Sequence, residues 1–229
     1  MNTLIIGDLH GDAPLFQSIL AQFPKHYYVL LGDLVDSFTF GKRLQRECVD
    51  IALDLVRNER ATYLIGNHEL SYLQFNKRCA GWNDEMQRLL LPVIEEMRAV
   101  IKPFAYLEYH DQKPLLITHA GLTSPLVTHA HIYPIQLANK LTEWYQQLGS
   151  PFYYVSELRG GDDLVGGPLW CDVREFRPVD WLRQVFGHTP LQEMATFDGN
   201  NFCIDTLQSD NKSVLELSNG KLTPIKIHA

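Results

Sequence analysis

Five short apolar runs (TLII, YYVLL, TYLI, PLLI and RQVF) each lead into a phrase in which glycine stands close to Asp, Asn or His. The phrases are GDLHG (Gly7 to Gly11), GDLVD (Gly32 to Asp36), GNHE (Gly66 to Glu69), THAG (Thr118 to Gly121) and GHT (Gly187 to Thr189). Apolar runs this short, bounded by glycine, read as buried β-strands. Asp, Asn and His are the oxygen and nitrogen donors that bind divalent cations. A fold that delivers such residues from five successive strand ends can gather them into one metal site.

The segments between the phrases read as helices. Asp12 is placed to cap a helix containing Pro14 in its first turn and burying Leu15, Phe16, Ile19 and Leu20. Helical spacing recurs from Gly41 to Arg57, from Leu70 to Phe75 and from Asp84 to Val100. Strand–helix alternation of this kind predicts a largely parallel sheet covered by helices. Toward the C-terminus, runs at Phe202 to Asp205, Ser213 to Leu217 and Leu222 to Ile227 are separated by Asn/Gly turns. These read as antiparallel hairpins, which makes the sheet mixed or adds a second one. Gly149 to Gly167 has no periodicity and reads as a long loop of the kind that carries function.

The 229 residues, 45% hydrophobic and 21% charged, suit one soluble α/β domain spanning residues 1–229. No run approaches the roughly 20 apolar residues of a membrane helix, and the N-terminus lacks a secretory pattern, so a cytoplasmic protein is expected. A net charge of −7 disfavours nucleic acid and anionic membranes as partners. An anionic substrate would then need local positive charge, which metal ions can supply. Cys48, Cys79, Cys171 and Cys203 form no C-x-x-C pair, and read as small buried hydrophobes in a reduced compartment.

Asp8 and His10, two residues apart in a turning segment, can face one ion, while Asp33 has two oxygens with which to bridge two. Asn67, His119 and His188 can complete a second ion. Singly, each has an ordinary explanation: Asp33 as a helix cap, Asn67 as a turn residue, the histidines as half-buried packing. Together in five post-strand loops they are hard to explain as turns. Oxygen and imidazole donors without thiolate suit Mn, Fe, Zn, Co or Ni. Two adjacent ions would activate a bridging water and clamp a phosphoryl group.

The five phrases, in this order, resemble those of the calcineurin-like metallophosphoesterases. The resemblance is strongest to the phosphoprotein-phosphatase branch, with its bacterial protein phosphatases and symmetrical diadenosine tetraphosphate hydrolases. It runs from Gly7 to about Asp205 and implies a four-layer αββα sandwich with two mixed β-sheets and metals at the strand ends. It further implies that Asp8, His10 and Asp33 hold one metal, and that Asp33, Asn67, His119 and His188 hold the other, manganese foremost. His68 would protonate the leaving oxygen, oriented by Asp36, whose alternative is a helix cap. The single histidine of Gly187-His188-Thr189-Pro190 matches that branch, whereas nuclease-like members carry G-H-x-H. Pro168 to Asp172 resembles its L-W-S-D phrase, although Trp170 also reads as core.

Two departures bear on substrate. The branch has Arg-Gly after GDxVD, where its arginine holds phosphate; here Ser37 and Phe38 follow instead. A hydroxyl cannot replace a bidentate guanidinium. Lys42, Arg43, Arg78, Arg159, Arg174 and Arg177 are candidates to compensate, with Arg174 and Arg177 nearest in register to a second family arginine; each otherwise reads as solvated surface charge. Leu207 replaces the glycine of the family's I-D-T-G phrase. Phe38, Phe40 and Trp82 read as core, with a base-stacking wall as the alternative. The expected activity is hydrolysis of a phosphomonoester, as by a protein phosphatase. A dinucleoside polyphosphate hydrolase and a non-catalytic scaffold are the alternatives.

Overall fold

In a computed structural model, which describes residues 2–74, 78–110 and 112–228, the apolar runs become strands whose alternate side chains serve two layers. In β1 (Thr3–Ile6), Leu4 and Ile6 join the cluster that contains Phe16 and Ile19 of α1 (Ala13–Gln22). Ile5, between them, faces the other way and packs with Val185 and Ile204. The same alternation holds in β2 (Tyr27–Leu30), where Tyr28 and Leu30 face helices and Val29 faces the second layer. A strand apolar on both faces must be covered on both, and this is the physical reason for four layers.

The chain continues through α2 (Lys42–Arg57), β3 (Ala61–Tyr63), α3 (Asn67–Leu73), α4 (Asp84–Leu90), α5 (Ile94–Val100), β4 (Ala105–Leu107) and β5 (Leu115–Ile117). It then forms α6 (Ser124–His129), α7 (Leu137–Gln146), β6 (Arg183–Phe186), β7 (Ala195–Phe197), β8 (Asn201–Cys203), β9 (Ser213–Ser218) and β10 (Lys221–Lys226). One sheet has the order β10-β9-β1-β2-β3 and the other β4-β5-β6-β8-β7. Each has a parallel set (β1 with β2, β2 with β3; β5 with β6, β6 with β8), extended by antiparallel β9 and β10 on one side of the first sheet and by antiparallel β4 and β7 at the two edges of the second. The two hairpins expected at the Asn/Gly turns are β7–β8 and β9–β10. Pro224 is accommodated because β10 is an edge strand. The fold is thus a mixed α/β sandwich of two mixed sheets. Among the described residues no helix is long and apolar enough to cross a membrane.

Several boundaries differ from the sequence reading. The helix expected over Asp84 to Val100 is divided by a 3₁₀ turn at Leu91–Val93, because Pro92 has no N–H to continue the ladder. Both halves still bury the expected face through Met86, Leu90, Ile94 and Met97. The helix expected from Leu70 starts earlier, at Asn67, and ends at Leu73; its expected end at Phe75 lies outside the described residues. Gly149 to Gly167 holds two 3₁₀ turns, Pro151–Tyr153 and Glu157–Arg159. It is pinned by Val155 N–H donating to Asp163 (2.7 Å) and Gly166 N–H donating to Glu175 (3.0 Å).

The GDLVD and GNHE loops touch backbone to backbone. A Cβ on Gly32, whose φ is +96°, would lie 2.3 Å from Gly66 N. A Cβ on Gly66 would lie 2.2 Å from Asp33 Oδ1. Gly32→Ala therefore adds left-handed strain to an overlap that only backbone movement relieves. We expect a loss of about 2–5 kcal/mol in unfolding free energy, read as a lowered urea midpoint at constant m.

Candidate metal centre

The strands stop, and the six expected ligands follow them into one region from five strand ends, Asp8 and His10 sharing the loop after β1. Asp8, Asp33, Asn67, His119 and His188 are buried and His10 is half-buried. Four site residues hold left-handed backbone although none is glycine: His10 (φ 43°), Asp33 (52°), Asp36 (62°) and His188 (71°). Such conformations persist only where surrounding bonds fix them.

The bonds are visible. Glu69, fully buried, accepts the N–H groups of Asp33 and Leu34 (both 2.7 Å), the N–H of Gly66 (3.1 Å) and the hydroxyl of Tyr63 (3.1 Å). Asp33 Oδ1 accepts His68 N–H at 3.0 Å, which leaves Oδ2 toward the centre. His10 Nδ1–H donates to Val35 O and His119 Nδ1–H to Leu31 O, both at 2.9 Å. Those bonds fix the tautomers so that each Nε2 presents a lone pair inward.

Asn67 Oδ1, His119 Nε2 and His188 Nδ1 converge at mutual distances of 2.8, 2.9 and 3.1 Å. Metal–ligand bonds of about 2.1 Å at right angles would separate neighbouring donors by about 3.0 Å, so the spacing fits one coordination sphere. Asp33 Oδ2 lies 3.4 Å from His119 Nε2 and 3.9 Å from His10 Nε2, between the two histidine groups. The donor atoms of Asp33, His119 and His188 lie within 4.8 Å of one another, as do those of His10, Asp33 and His68. Asp8 is outside both triads. Its Oδ2 accepts His188 N–H at 3.1 Å, and its buried Oδ1 has no partner among the described residues.

Electrostatics argue the same way. Burial, with Asp205 and Asp33 close by, pushes the Asp8 carboxyl well above the usual range. Burial and Asp33 lift Asp205 to about 7. Burial would raise Asp33 too, but the His119, His68 and His10 imidazoles outweigh it and hold the carboxyl well below the usual range. Burial drives His188 well below the usual imidazole range, with His119 adding to the effect. Asp33 in turn raises His119 against its burial, so the buried carboxyls draw on protons and imidazolium charge, a demand that divalent cations bound by these oxygen and nitrogen donors would also meet.

His68 stands apart from that set by its partner. Its Nδ1 lies 3.0 Å from Asp36 Oδ2. Burial opposes its charge, but Asp33 and the Asp36 hydrogen bond prevail and hold it at about 9. An imidazolium facing the cleft beside candidate metal ligands has the chemistry to give up a proton.

The cleft above the centre has a volume of about 610 Å³, and its lining includes His68, Ser37, Phe38, Arg78, Arg159 and Trp170. Arg174 and Arg177 do not line it. Arg174 is exposed and turned onto Asp172 (2.8 Å), while exposed Arg177 donates to the carbonyls of Arg174 and Phe176. Register alone does not determine where a side chain in an irregular loop points. Ser37 is in the cleft, but its hydroxyl oxygen accepts the N–H groups of Thr39 (3.1 Å) and Phe40 (2.9 Å) in its own turn. Phe38, expected in the core, is 84% exposed at the cleft. Trp170 lies beside His188, with ring centroids 5.8 Å apart.

The guanidinium that does reach the centre is that of Arg159, carried by the long loop. Its Nη2 donates to Thr189 Oγ1 (2.7 Å) and His188 O (3.3 Å), and its Nε forms an ion pair with Asp172 at 2.9 Å. Arg78 lies flat over Trp82, 3.7 Å from the ring centroid. The sequence reading missed Glu69 and Asp205 as supports. Glu69, three residues after the helix-starting Gly66, has the spacing of a capping-box acid, which was the available signal.

Known proteins resemble this chain in family and in fold. A family profile described as calcineurin-like phosphoesterase matches residues 1–192. A cold-active protein-tyrosine phosphatase from a psychrophilic Shewanella is similar in structure at 16% identity, with TM-score 0.60, over 99% of this chain and 80% of that one. A protein serine/threonine phosphatase from Saccharomyces cerevisiae aligns at 16% identity and TM-score 0.55, over 100% and 80%. A provisionally assigned diadenosine tetraphosphatase aligns at 17% identity and TM-score 0.53, over 98% and 93%. At these identities the likeness is one of fold. Comparison with curated protein sequences finds no match.

If cations complete the centre, their uptake must expel protons from the raised Asp8 and Asp205 carboxyls. Proton occupancy of Asp205 is high below about 7 and falls above it, so apparent Mn²⁺ affinity should rise from pH 6 to pH 8. Calorimetry in buffers of different ionisation enthalpy should show net proton release; buffer-independent heats would contradict this.

Proposed function

This chain belongs to the calcineurin-like phosphoesterase family, and we propose that it hydrolyses phosphomonoesters with two divalent cations held by Asp8, His10, Asp33, Asn67, His119 and His188. The observation that carries the reading is the convergence of Asn67, His119 and His188 on Asp33, next to the His68–Asp36 pair. When bound, the cations lower the pKa of a water molecule and neutralise phosphoryl oxygens. Manganese is our first choice, and iron, zinc, cobalt or nickel would satisfy the same donors.

The chain's own residues divide the remaining work. Asp33, with Oδ2 between the two histidine groups, fixes the spacing of the two sites. His68 gives its Nε2 proton to the leaving oxygen, which would otherwise depart as a poor alkoxide. Asp36 holds the opposite ring nitrogen and keeps the imidazole cationic. Arg159 takes the part for which Arg174, Arg177 and Ser37 were candidates. Its anchoring by Thr189, His188 O and Asp172 leaves Nη1 without a protein partner among the described residues, available to a phosphoryl oxygen.

A second reading, hydrolysis of a nucleotide anhydride, is favoured by one observation: Phe38 is exposed at a cleft that Trp170 also lines, and aromatic faces there suit a base. The phosphatases and the diadenosine tetraphosphatase among the structural neighbours support both readings without separating them.

Manganese-loaded protein should hydrolyse p-nitrophenyl phosphate, lose turnover on chelation and regain it with Mn²⁺. Asp33→Asn should lower kcat by about 10³-fold. A metal-loaded protein inactive toward phosphopeptides, nucleotides and dinucleoside polyphosphates alike would sink the reading. Arg159→Ala should raise KM by about 10-fold, the loss of one charge-assisted bond, while Arg174→Ala stays close to wild type. The reverse order would return the phosphate contact to Arg174.

A further inference from the structure

His68 and Tyr72 stand four residues apart on α3, so both project from the same helical face. Both reach one carboxylate. His68 Nδ1 lies 3.0 Å from Asp36 Oδ2, and the Tyr72 hydroxyl donates a short hydrogen bond to Asp36 Oδ1. Asp36 is 1% exposed, and its side chain has no other hydrogen-bond partner among the described residues.

The direction of the Tyr72 bond is set from behind. Asn83 N–H donates to the phenolic oxygen at 3.4 Å, and burial keeps the phenol protonated. The ring stacks on Trp82, with centroids 6.2 Å apart and planes at 22°. Gly81 closes over Asp36, where a Cβ would meet that of Asp36 at 3.0 Å. Gln45 Oε1 accepts Asp36 N–H at 3.0 Å and fixes the backbone.

We propose that Tyr72 is a positioning residue for proton donation, the outer member of a Tyr72–Asp36–His68 chain. The phenol holds Asp36 Oδ1 so that Oδ2 stays directed at His68 Nδ1–H and Nε2 stays aimed at the leaving oxygen. This rests on the phosphoesterase reading above. In the step it serves, water forms a new P–O bond and releases one proton to solvent while the ester P–O bond breaks. The leaving oxygen takes that bond's electron pair and the Nε2 proton, and neutral His68 regains a proton from solvent. Without the phenol, Oδ1 becomes a buried acceptor with no donor, free to turn and take the proton donor out of line.

Tyr72→Phe removes one oxygen and keeps the stacked ring. A role through His68 gives a signature that packing does not: dependence on the leaving group. Turnover of an alkyl phosphate should fall by about 10-fold, a fraction of full general-acid catalysis, with KM unchanged. Turnover of 2,4-dinitrophenyl phosphate, whose leaving group needs no proton, should stay at the wild-type level. In a His68→Ala background the same change should cost nothing further. In metal-free protein, the downfield His68 Nδ1–H proton resonance should broaden or vanish in Tyr72→Phe. It should shift but persist in Tyr72→3-fluorotyrosine, which keeps the bond even if the phenylalanine variant folds poorly. Equal losses on both esters, a full effect without His68, or an unchanged resonance would overturn the proposal. An active wild type with such results leaves the phosphoesterase reading standing; a wild type inactive on every ester overturns both.

Discussion

The buried carboxylate of Glu69 is the point on which the site turns. Four donors from three segments end on it: the Asp33 and Leu34 amides, the Gly66 amide and the Tyr63 hydroxyl. It joins the loop after β2 to the loop after β3 at the place where Gly32 and Gly66 already touch. Left-handed backbone at Asp33 would cost on the order of 1–2 kcal/mol in an isolated turn; two amide bonds to a buried acceptor offset that. Once Asp33 is fixed, its Oδ1 receives His68 N–H and its Oδ2 faces the histidines. The placement of Asn67, His68 and Tyr72 then follows from α3, which starts at the same glycine.

The two sheets divide the candidate ligands between them. Asp8, His10, Asp33 and Asn67 follow strands of the first sheet, and His119 and His188 follow strands of the second. The site therefore exists only when Ile5, Val29, Ile117 and Val185 have packed face to face. Contacts across the seam are direct: His119 Nδ1 donates to Leu31 O, and His188 N–H donates to Asp8. Packing accordingly gathers carboxyls and imidazoles in a dry place, an arrangement that favours a cation.

The strands and the meeting of the candidate ligand residues were legible in the sequence because each rests on a local rule. Apolar runs between glycines give strands, and Asp, Asn or His after each strand gives the ligand loops. Asp12 capping α1 and the Asn/Gly hairpins follow similar local chemistry. What could not be read depended on tertiary direction. Arg174 lies in register with a family arginine but folds back on Asp172, whereas Arg159, from a loop without periodicity, reaches the centre. Phe38 is hydrophobic yet exposed, because its turn is fixed by Ser37 and not by core packing. The edge strands β4 and β7 are three residues each, too short to leave a period.

If the six residues form one centre for two cations, Asp33 has to serve both. Equilibrium dialysis of the metal-free protein against Mn²⁺, followed by elemental analysis, counts the ions directly. Two ions per chain are expected, both weakened together in Asp33→Ala. One ion per chain, none, or two that survive the loss of Asp33 unchanged would contradict this.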